Sequence, residues 1–480
     1  MTKRRILLKI EIFLLIFAVI LSSVTFVMRN KEACKNIIPF YDEPKSSLDV
    51  IFLGTSHLIN AVNPMQLYNS YGTVSYNYAI HGEQFLQAYE SLQEVLKYQD
   101  SQLIIIDLFA LPWKVPEWKN TRISSHRVFD NISFSFNKLN LISNFLEGYS
   151  TNINMVEIDT FNNKWELIFP IYYYHSNWNE LKKNNFLNHK PLTKGHEPKR
   201  KIEIRKPPQF STNRKSISKL EIGNIDAFYK IIDLCKKNNI KLLFTLIPYT
   251  SQRDDNFLYL ECFNEIEYLL KKTPNVKYLN LFHNLDEIGF DFSTDLADFG
   301  HVNPNGAQKI TTHIGKYIKE HYDIPDRRLD PAYAKWNDDY KIYVQDTFAQ
   351  ELNATKNSEK YLELLTNKKE ATNNTCIFVV KTSEKNINSK HFNSLGINVN
   401  SNNCITIIDE GKIVYNRTAS DILLQHEYKI GRLPIKLVSD VKGKTSSIKI
   451  DGIEQIKNKS GITVVIYDKL LKKVSSVRSL

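Results

Sequence analysis

The stretch that decides the fold is Asp49–His57, DVIFLGTSH. It begins with a short apolar run of the kind that forms a buried strand, and Gly54 ends the run. A Thr, a Ser and a His follow at once. Ser56 is therefore either a nucleophile presented on a sharp turn or an ordinary polar residue after a buried strand, and the stretch alone does not distinguish the two.

Strands and helices alternate on both sides of this stretch. Between residues 48 and 111 three apolar runs are separated by amphipathic segments, and the first of these segments carries helix start and stop signals at Asn63 and Gly72. The alternation resumes near residue 217 and ends in a helix that Asn303 caps. Strands separated by helices of this size indicate βαβ units, so we expect an α/β fold with a parallel sheet.

The remaining segments define a domain plan. The Trp-, Tyr- and Asn-rich stretch between the two α/β parts predicts a long inserted lid, and the short alternating runs after Cys376 predict a separate, mostly-β domain. We expect residues 1–30 as a cytoplasmic stub and transmembrane anchor, 45–325 as the α/β domain with its insertion at about 112–215, 326–370 as a helical connector, and 371–480 as a mostly-β accessory domain.

The N-terminus predicts a membrane anchor. MTKRRILLK carries four cationic side chains, and the 17-residue apolar run Ile12–Met28 that follows is just long enough to cross a bilayer. More positive charge precedes the run than directly follows it, which places the first residues in the cytoplasm. We expect a single-pass protein of the cell membrane with its α/β domain on the extracytoplasmic side; a cleaved signal peptide is the alternative.

The composition excludes some partners. The net charge is +11, but Lys and Arg are interleaved with acids and no nucleic-acid-binding signature accompanies them, so we expect no nucleic-acid partner. The basic stretch 199–208, KRKIEIRKPP, is either a solvated face or part of a binding element.

The five cysteines lack metal-binding spacing. Cys376 and Cys404 either pair or serve as small buried hydrophobes.

A second stretch supplies what a nucleophilic serine needs. Such a serine requires a base beside it and a group that orients the base. In DFGHVNPNG, Asp298 and His301 lie three residues apart in a loop before a capped helix, so both side chains can point back to the sheet edge near Ser56. His57 is a competing base. Because adjacent residues rarely point the same way, we expect it to pack or to contact substrate.

These blocks carry a resemblance to the SGNH, or GDSL, hydrolase superfamily. GTSH at 54–57 resembles its first block, DFGH at 298–301 resembles its last, and NYAIHGE places Gly82 where the superfamily has its second-block glycine. The resemblance implies a three-layer, flavodoxin-like parallel sheet, without a cofactor and without a metal. It also implies Ser56 as nucleophile, His301 as general base, Asp298 as its orienter, and the backbone N–H groups of Ser56 and Gly82 as oxyanion donors.

The third block departs from that pattern. No Gly-x-Asn-Asp follows the third strand, which reads IIIDLFALPW at 104–113. The usual asparagine oxyanion donor is therefore missing or replaced, and Asp107 cannot take its place as an anion.

The anchor and this departure make residues 1–370 resemble one branch of the superfamily. Its members are membrane-anchored and act beside membrane-bound O-acyltransferases, as the D-alanyl-transfer protein and the alginate and cellulose acetylation proteins do. The resemblance implies that a multipass O-acyltransferase supplies an acyl group, acetyl by our interpretation, for transfer to an exported polysaccharide. Three alternatives remain: an O-acetyl esterase, D-alanyl transfer to teichoic acid, and a non-catalytic glycan-binding scaffold.

Two further segments add expectations. HRVFDNISFSFNK and YYYHSNWNEL in the insertion are similar to that branch. SSIKIDG and GITVVIYD near the C-terminus resemble the interleukin-like EMT inducer domain, which implies a carbohydrate-binding accessory domain. The candidate substrate contacts are His57, His126, Arg127, His175 and Trp178.

Overall fold

The chain forms two compact units, Met1–Ala334 and Lys335–Leu480. The computed structural model describes residues 3–29, 34–114, 118–152, 160–186, 192–211, 220–250, 257–273, 276–367, 369–372, 375–382, 390–397, 401–442, 444–456 and 461–480.

The first unit is built on a parallel sheet with the order β2-β1-β3-β5-β7. A separate parallel pair joins β4 and β6. In sheets of this order, ligands bind beyond the carboxyl ends of the strands, where neighbouring connections leave in opposite directions. The strands are β1 (Val50–Leu53), β2 (Ser75–Asn77), β3 (Leu103–Asp107), β4 (Gln209–Ser211), β5 (Lys241–Leu246), β6 (Phe257–Tyr259) and β7 (Lys277–Asn280).

Twelve α-helices accompany these strands in the described residues of the first unit, together with short 3-10 turns. The helices are α1 (Lys3–Met28), α2 (Ser56–Ala61), α3 (Pro64–Tyr71), α4 (Ala88–Leu96), α5 (Trp118–Phe129), α6 (Phe136–Asn152), α7 (Thr160–Ile168), α8 (Ile171–Tyr174), α9 (Ile222–Lys237), α10 (Leu260–Lys271), α11 (Leu285–Ile288) and α12 (Pro304–His321). The 3-10 turns are Ile38–Asp42, Phe85–Gln87, Leu108–Ala110, His175–Glu180, Lys183–Phe186, Leu281–Asn284 and Pro331–Tyr333.

Helices cover both faces of the sheet. Successive strand side chains point to opposite faces, and Val50 and Phe52 of β1 pack with the buried faces of α2, α3 and α12. Their neighbours Ile51 and Leu53 are also fully buried. On the other side of the sheet, α4 contacts β1 and α9 contacts β5. The prediction of an α/β fold with a parallel sheet is confirmed.

The local helix signals act as predicted. The Asn63 side chain accepts hydrogen bonds from the N–H groups of Met65 and Gln66, and Gly72 ends the helix with φ of 72°. Asn303 caps α12 in the same manner. Thr311 on α12 accepts from Asn63 N–H at 3.0 Å and donates to the Ala61 carbonyl, so α12 is fixed beside α2.

One segment differs from expectation, and the insertion is partly helical. The residues 256–272 were expected to be helical throughout, but Phe257–Tyr259 forms β6 because it pairs with β4, and the helix begins only at Leu260. The expected lid at 112–215 contains the helices α5 to α8. Two of them are joined by an ion pair between Arg122 on α5 and Glu166 on α7.

Helix α1 is long and apolar enough to cross a membrane. Its span Arg4–Met28 has 25 residues, and its most apolar window is not buried against the protein. Helices of this kind near an N-terminus occur both in membrane anchors and in signal sequences.

The second unit joins helices to two antiparallel sheets, which confirms the predicted β-rich C-terminal region. One sheet has the order β10-β9-β8-β15-β16 and the other the order β11-β12-β13-β14. The helices are α13 (Ala334–Ala354), α14 (Ser358–Asn367), α15 (Lys369–Thr372) and α16 (Lys390–Ser394). The strands are β8 (Thr375–Thr382), β9 (Asn403–Asp409), β10 (Lys412–Ala419), β11 (Leu424–Ile430), β12 (Leu433–Asp440), β13 (Thr445–Ile450), β14 (Ile453–Glu454), β15 (Gly461–Asp468) and β16 (Lys473–Ser479).

Alternation along β8 builds two cores in this unit. Ile377 and Val379 pack with apolar residues of α13 and α14, whereas Phe378 and Val380 pack with the four-stranded sheet. The helices expected to form a connector thus contribute to the core of the second unit. The structure shows no disulfide between Cys376 and Cys404. Both are free and buried, and they lie in different cores.

Candidate active site

The turn after β1 presents Ser56 at the carboxyl edge of the sheet. Gly54 has φ of 148°, and a Cβ there would lie 3.1 Å from Cβ of Asp107 on the neighbouring strand. A side chain at position 54 would therefore be crowded and strained. Thr55 accepts from the His57 N–H at 3.3 Å and caps α2, whose first residue is the half-buried Ser56.

A hydrogen-bonded chain links Ser56 to the loop before α12. Ser56 Oγ lies 2.8 Å from His301 Nε2, and His301 Nδ1 lies 2.7 Å from Asp298 Oδ1. Ser56 and His301 are 245 positions apart in the sequence. A base on one side of a hydroxyl and a carboxylate behind the base is the arrangement that activates a serine. The structure thus brings together the three residues predicted to form a triad.

Backbone hydrogen bonds hold the loop in this position. Ala297 N–H donates to the His301 carbonyl at 2.8 Å, which pairs the two ends of the loop. Gly300 N–H donates to Asp298 Oδ1 at 2.9 Å, and Thr250 N–H donates to the Phe299 carbonyl at 2.7 Å. The carboxylate and imidazole are therefore oriented before any substrate is bound.

Lys199 is a fourth member of the group and was not among the predicted site residues. Its ammonium donates to Asp298 Oδ2, and its Nζ lies 3.3 Å from His301 Nδ1. Burial acts to raise the pKa of Asp298, but the hydrogen bonds from His301, Lys199 and the Gly300 N–H outweigh it and hold the pKa well below its usual range. Asp298 is therefore an anion at neutral pH.

Lys199 reaches the site because its segment crosses from α2 to Leu296, close to the loop of Asp298 and His301. Glu197 N–H donates to the carbonyl of Ile59 on α2 at 3.1 Å. Further along, Glu203 N–H donates to the Leu296 carbonyl at 2.9 Å. We call residues 196–205 the strap. Of the two interpretations of the basic stretch, a solvated face fits the exposed Lys201, but Lys199 points inward.

His57 is packed beneath the site. It is only 2% exposed, and its ring stacks on that of Phe109 with centroids 3.2 Å apart. Burial, with a smaller contribution from the neighbouring His301, holds the pKa of His57 well below its usual range. His57 is therefore neutral. Its packing fits one of the two expectations for this residue, and the other, substrate contact, stays a prediction.

An aromatic wall follows β3, in the stretch where the sequence lacks the third-block asparagine. Phe109 follows β3, and its ring contacts the rings of Trp113 and Tyr249 at centroid distances of 5.1 and 4.8 Å. Asp107 itself is buried behind Gly54. It accepts from the Ile247 N–H at 3.2 Å, and burial raises its pKa to about 7. The residues after β3 thus place an aromatic ring, not an amide, beside the site.

The second-block loop runs alongside the serine turn. Ile80 N–H donates to the Gly54 carbonyl at 2.8 Å, and Gly82 follows with φ of 69°. Arg127 of the insertion donates from Nη1 to the His81 carbonyl at 2.7 Å. Of the predicted substrate contacts in the insertion, Arg127 therefore touches this loop. It also lines a cavity of about 370 Å³ with Tyr173, Tyr174 and Asn177.

The other three candidates in the insertion lie elsewhere. His126 is buried between two carboxylates, with Nδ1 3.0 Å from Asp130 and Nε2 2.9 Å from Glu166. Burial acts to lower the pKa of His126, but the two carboxylates outweigh it and raise the pKa. His175 and Trp178 are exposed. None of the hydrogen bonds and ring contacts described for these three side chains joins them to Ser56, Asp298 or His301.

The fold and this group together define an α/β protein with a serine, a histidine and an aspartate at the carboxyl edge of a parallel sheet. No family model matches the chain, and no curated protein matches it. Among solved structures, a crystal structure of a "putative acylhydrolase" from Bacteroides fragilis is similar at 12% identity. The likeness covers 58% of this chain and 90% of that one. Its TM-score is 0.26.

Proposed function

We propose that this chain belongs to the SGNH hydrolase superfamily and transfers an acyl group through Ser56 to hydroxyls of an exported cell-surface polysaccharide. The observation that supports this most is the hydrogen-bonded chain from Ser56 Oγ through His301 to Asp298. Its parts stand in the order of nucleophile, base and orienter. The acyl group that we favour is acetyl.

In the first step, Ser56 Oγ attacks the carbonyl carbon of the acyl donor while His301 Nε2 takes the hydroxyl proton. Asp298 holds the Nδ1–H and stabilises the positive charge on the ring. The backbone N–H groups of Ser56 and Gly82 are the proposed donors to the oxyanion. When the intermediate collapses, the donor's leaving group departs with the proton from His301, and an ester remains on Ser56.

In the second step, a sugar hydroxyl attacks the ester. His301 takes the proton of this hydroxyl, the bond to Ser56 Oγ breaks, and the serine receives the proton back. Asp298 stays ionised through both steps, since Lys199 and the Gly300 N–H also stabilise its charge.

Transfer in preference to hydrolysis requires that water be kept from the ester. The wall of Phe109, Trp113 and Tyr249 supports this, because it replaces part of the polar surroundings of the site with aromatic rings. Hydrolysis by the same group, as an O-acetyl esterase, is the second candidate, since Ser56 is only half-buried. D-alanyl transfer to teichoic acid and a non-catalytic glycan-binding scaffold stay open as alternatives.

The proposed location is the extracytoplasmic face of the cell membrane, with α1 as an uncleaved anchor. The cationic residues before the apolar span support this orientation. A multipass membrane-bound O-acyltransferase is the proposed source of the acyl group. The second unit is proposed to bind the acceptor glycan, on the resemblance of its C-terminal segments alone.

Competition between water and an acceptor tests transfer against hydrolysis. The purified full chain is given an activated acetyl ester with increasing amounts of a hydroxylated oligosaccharide. We expect acetylated oligosaccharide to increase at the expense of free acetate, because the acceptor and water compete for one ester. Mass spectrometry of the oligosaccharide measures the product. Release of free acetate alone at every acceptor concentration would favour the esterase.

A further inference from the structure

The insertion carries large aromatic side chains that are exposed to a substantial degree. Phe136 is 87% exposed and Trp178 is 67% exposed. Exposed apolar groups are common singly, but several close together mark a contact surface. We call this set the aromatic rim; its members are Phe134, Phe136, Trp165, Phe169, Tyr172, Trp178 and Phe186.

The rim includes a continuous group of rings. Phe134 lies 6.5 Å from Phe169, and Phe169 in turn lies 5.7 Å from Trp165, both measured between ring centroids. Tyr172 follows Phe169 by three residues, and the Tyr172 N–H donates to the Phe169 carbonyl. The loop before α6, helix α7 and helix α8 therefore contribute to one aromatic surface.

The same insertion is attached to the end of α1. The last carbonyls of a helix have no partner within the helix. Here Asn185 donates to the Val27 carbonyl at 3.0 Å, and Asn177 donates to the Met28 carbonyl at 3.1 Å. Trp178 and Phe186 are the residues directly after these two asparagines. Part of the rim is thus fixed at the level where the apolar helix ends.

We propose that the aromatic rim lies in the headgroup region of the lipid bilayer and seats the insertion on the membrane surface. Two observations identify the lipid headgroups as the partner of the rim. Part of the rim is hydrogen-bonded to the end of the apolar helix through Asn177 and Asn185. The rim also contains Trp and Tyr side chains, which are enriched at membrane interfaces. The proposal rests on α1 crossing the membrane, as the proposed function also does.

This seating has a consequence for the site. Arg127 of the insertion holds the His81 carbonyl, next to Gly82. The cavity beside Arg127 is also lined by Asn177, which holds the end of α1. The insertion therefore bonds both to the end of α1 and to the loop beside Ser56, and the two bonding residues line one cavity. The rim sets the height of this loop above the membrane.

Quenching by lipids tests the rim directly. The full chain is reconstituted into phosphatidylcholine vesicles whose acyl chains carry bromine either near the headgroup or near the chain end. Trp178→Phe and Trp165→Phe each isolate the emission of one rim tryptophan by difference, and Trp336→Phe isolates the buried Trp336 of the second unit as a control. We expect the two rim tryptophans to lose emission, most strongly with bromine near the headgroup, and Trp336 to keep its emission.

A matched pair of variants tests whether the rim acts as one surface. Phe134→Ser with Phe136→Ser is expected to reduce the quenching of Trp165, whereas Leu329→Ser, which changes a 96%-exposed residue outside the insertion, is expected to leave it unchanged. Unquenched rim tryptophans in a chain that stays with the vesicles would overturn the seating alone. A chain that does not stay with the vesicles would overturn the anchor as well. Neither outcome bears on acylation of Ser56.

Discussion

Ser56→Ala is expected to abolish acyl transfer and leave the chain folded. In enzymes that use such a group, removal of the nucleophile lowers the rate by about 10⁴-fold or more. The hydroxyl makes one described hydrogen bond, to His301, and α2 is capped by Thr55. The loss of stability should therefore not exceed about 1 kcal/mol. Acetyl transfer and thermal unfolding followed by circular dichroism measure the two effects.

Ser70→Ala is the matched control for this change. Ser70 is exposed on α3, so the same substitution there should alter neither transfer nor unfolding. Transfer that survives in Ser56→Ala would rule out the serine mechanism. A fluorophosphonate, which reacts with activated serines, should label the original chain and the Ser70→Ala variant but not Ser56→Ala.

Asp298→Asn is expected to have the second large effect, a loss of about 10⁴-fold in the transfer rate. An amide cannot stabilise the charged ring of His301, and it can hold the ring in the wrong tautomer. It also removes the anion that Lys199 contacts. The substitution keeps the size of the side chain, so the fold should persist. Transfer rates and circular dichroism check both points.

Lys199→Met is the companion variant, and its effect should be smaller and pH-dependent. Asp298 keeps its bonds to His301 and to the Gly300 N–H, so the orienting carboxylate remains. The variant removes one of the hydrogen bonds that hold the pKa of Asp298 low, so the pKa of this carboxyl should rise. A protonated Asp298 cannot stabilise the charged ring of His301, so the acid limb of the pH–rate profile should move to higher pH. A profile that does not move would assign Lys199 a structural part only.

The fold was predictable from the sequence where local chemistry decides it. Signals that depend only on neighbouring residues were predicted and are present in the structure. They are the apolar run before Gly54, the caps at Asn63 and Asn303, and the helix stop at Gly72. Strand pairing over distance was harder. The start of residues 256–272 forms β6 because a partner strand lies beside it, and the local pattern does not show that partner.

The candidate site was predictable in its centre and not at its edges. A nucleophilic serine requires a base and a group that orients the base. The sequence offers a serine after a strand and a histidine three residues from an aspartate, so their proximity could be predicted. The contact of Lys199 with Asp298 could not be predicted from the sequence. It depends on the path of the strap, which bonds to α2 and to the Leu296 carbonyl. The stacking of Phe109 on His57 likewise follows from where β3 ends beside β1, which sequence spacing does not reveal.

The insertion was the least predictable part. The resemblance of its segments implied substrate contact for His126, Arg127, His175 and Trp178. The structure buries His126 between two carboxylates and leaves His175 and Trp178 exposed. Only packing decides whether a histidine is held by acids or offered to a ligand. Arg127 differs from its neighbour His126 because it extends toward the loop of His81 and Gly82.

The central claim is that Ser56 carries the acyl group, and mass spectrometry of the Ser56 peptide tests it most directly. The full chain is mixed with an activated acetyl donor, stopped with acid and digested, and the same is done with His301→Gln and Ser56→Ala. We predict one acetyl ester on Ser56 in the original chain, far less of it in His301→Gln, and none in Ser56→Ala. Transfer to the acceptor without any ester on Ser56, or an ester that forms on another residue, would contradict the account.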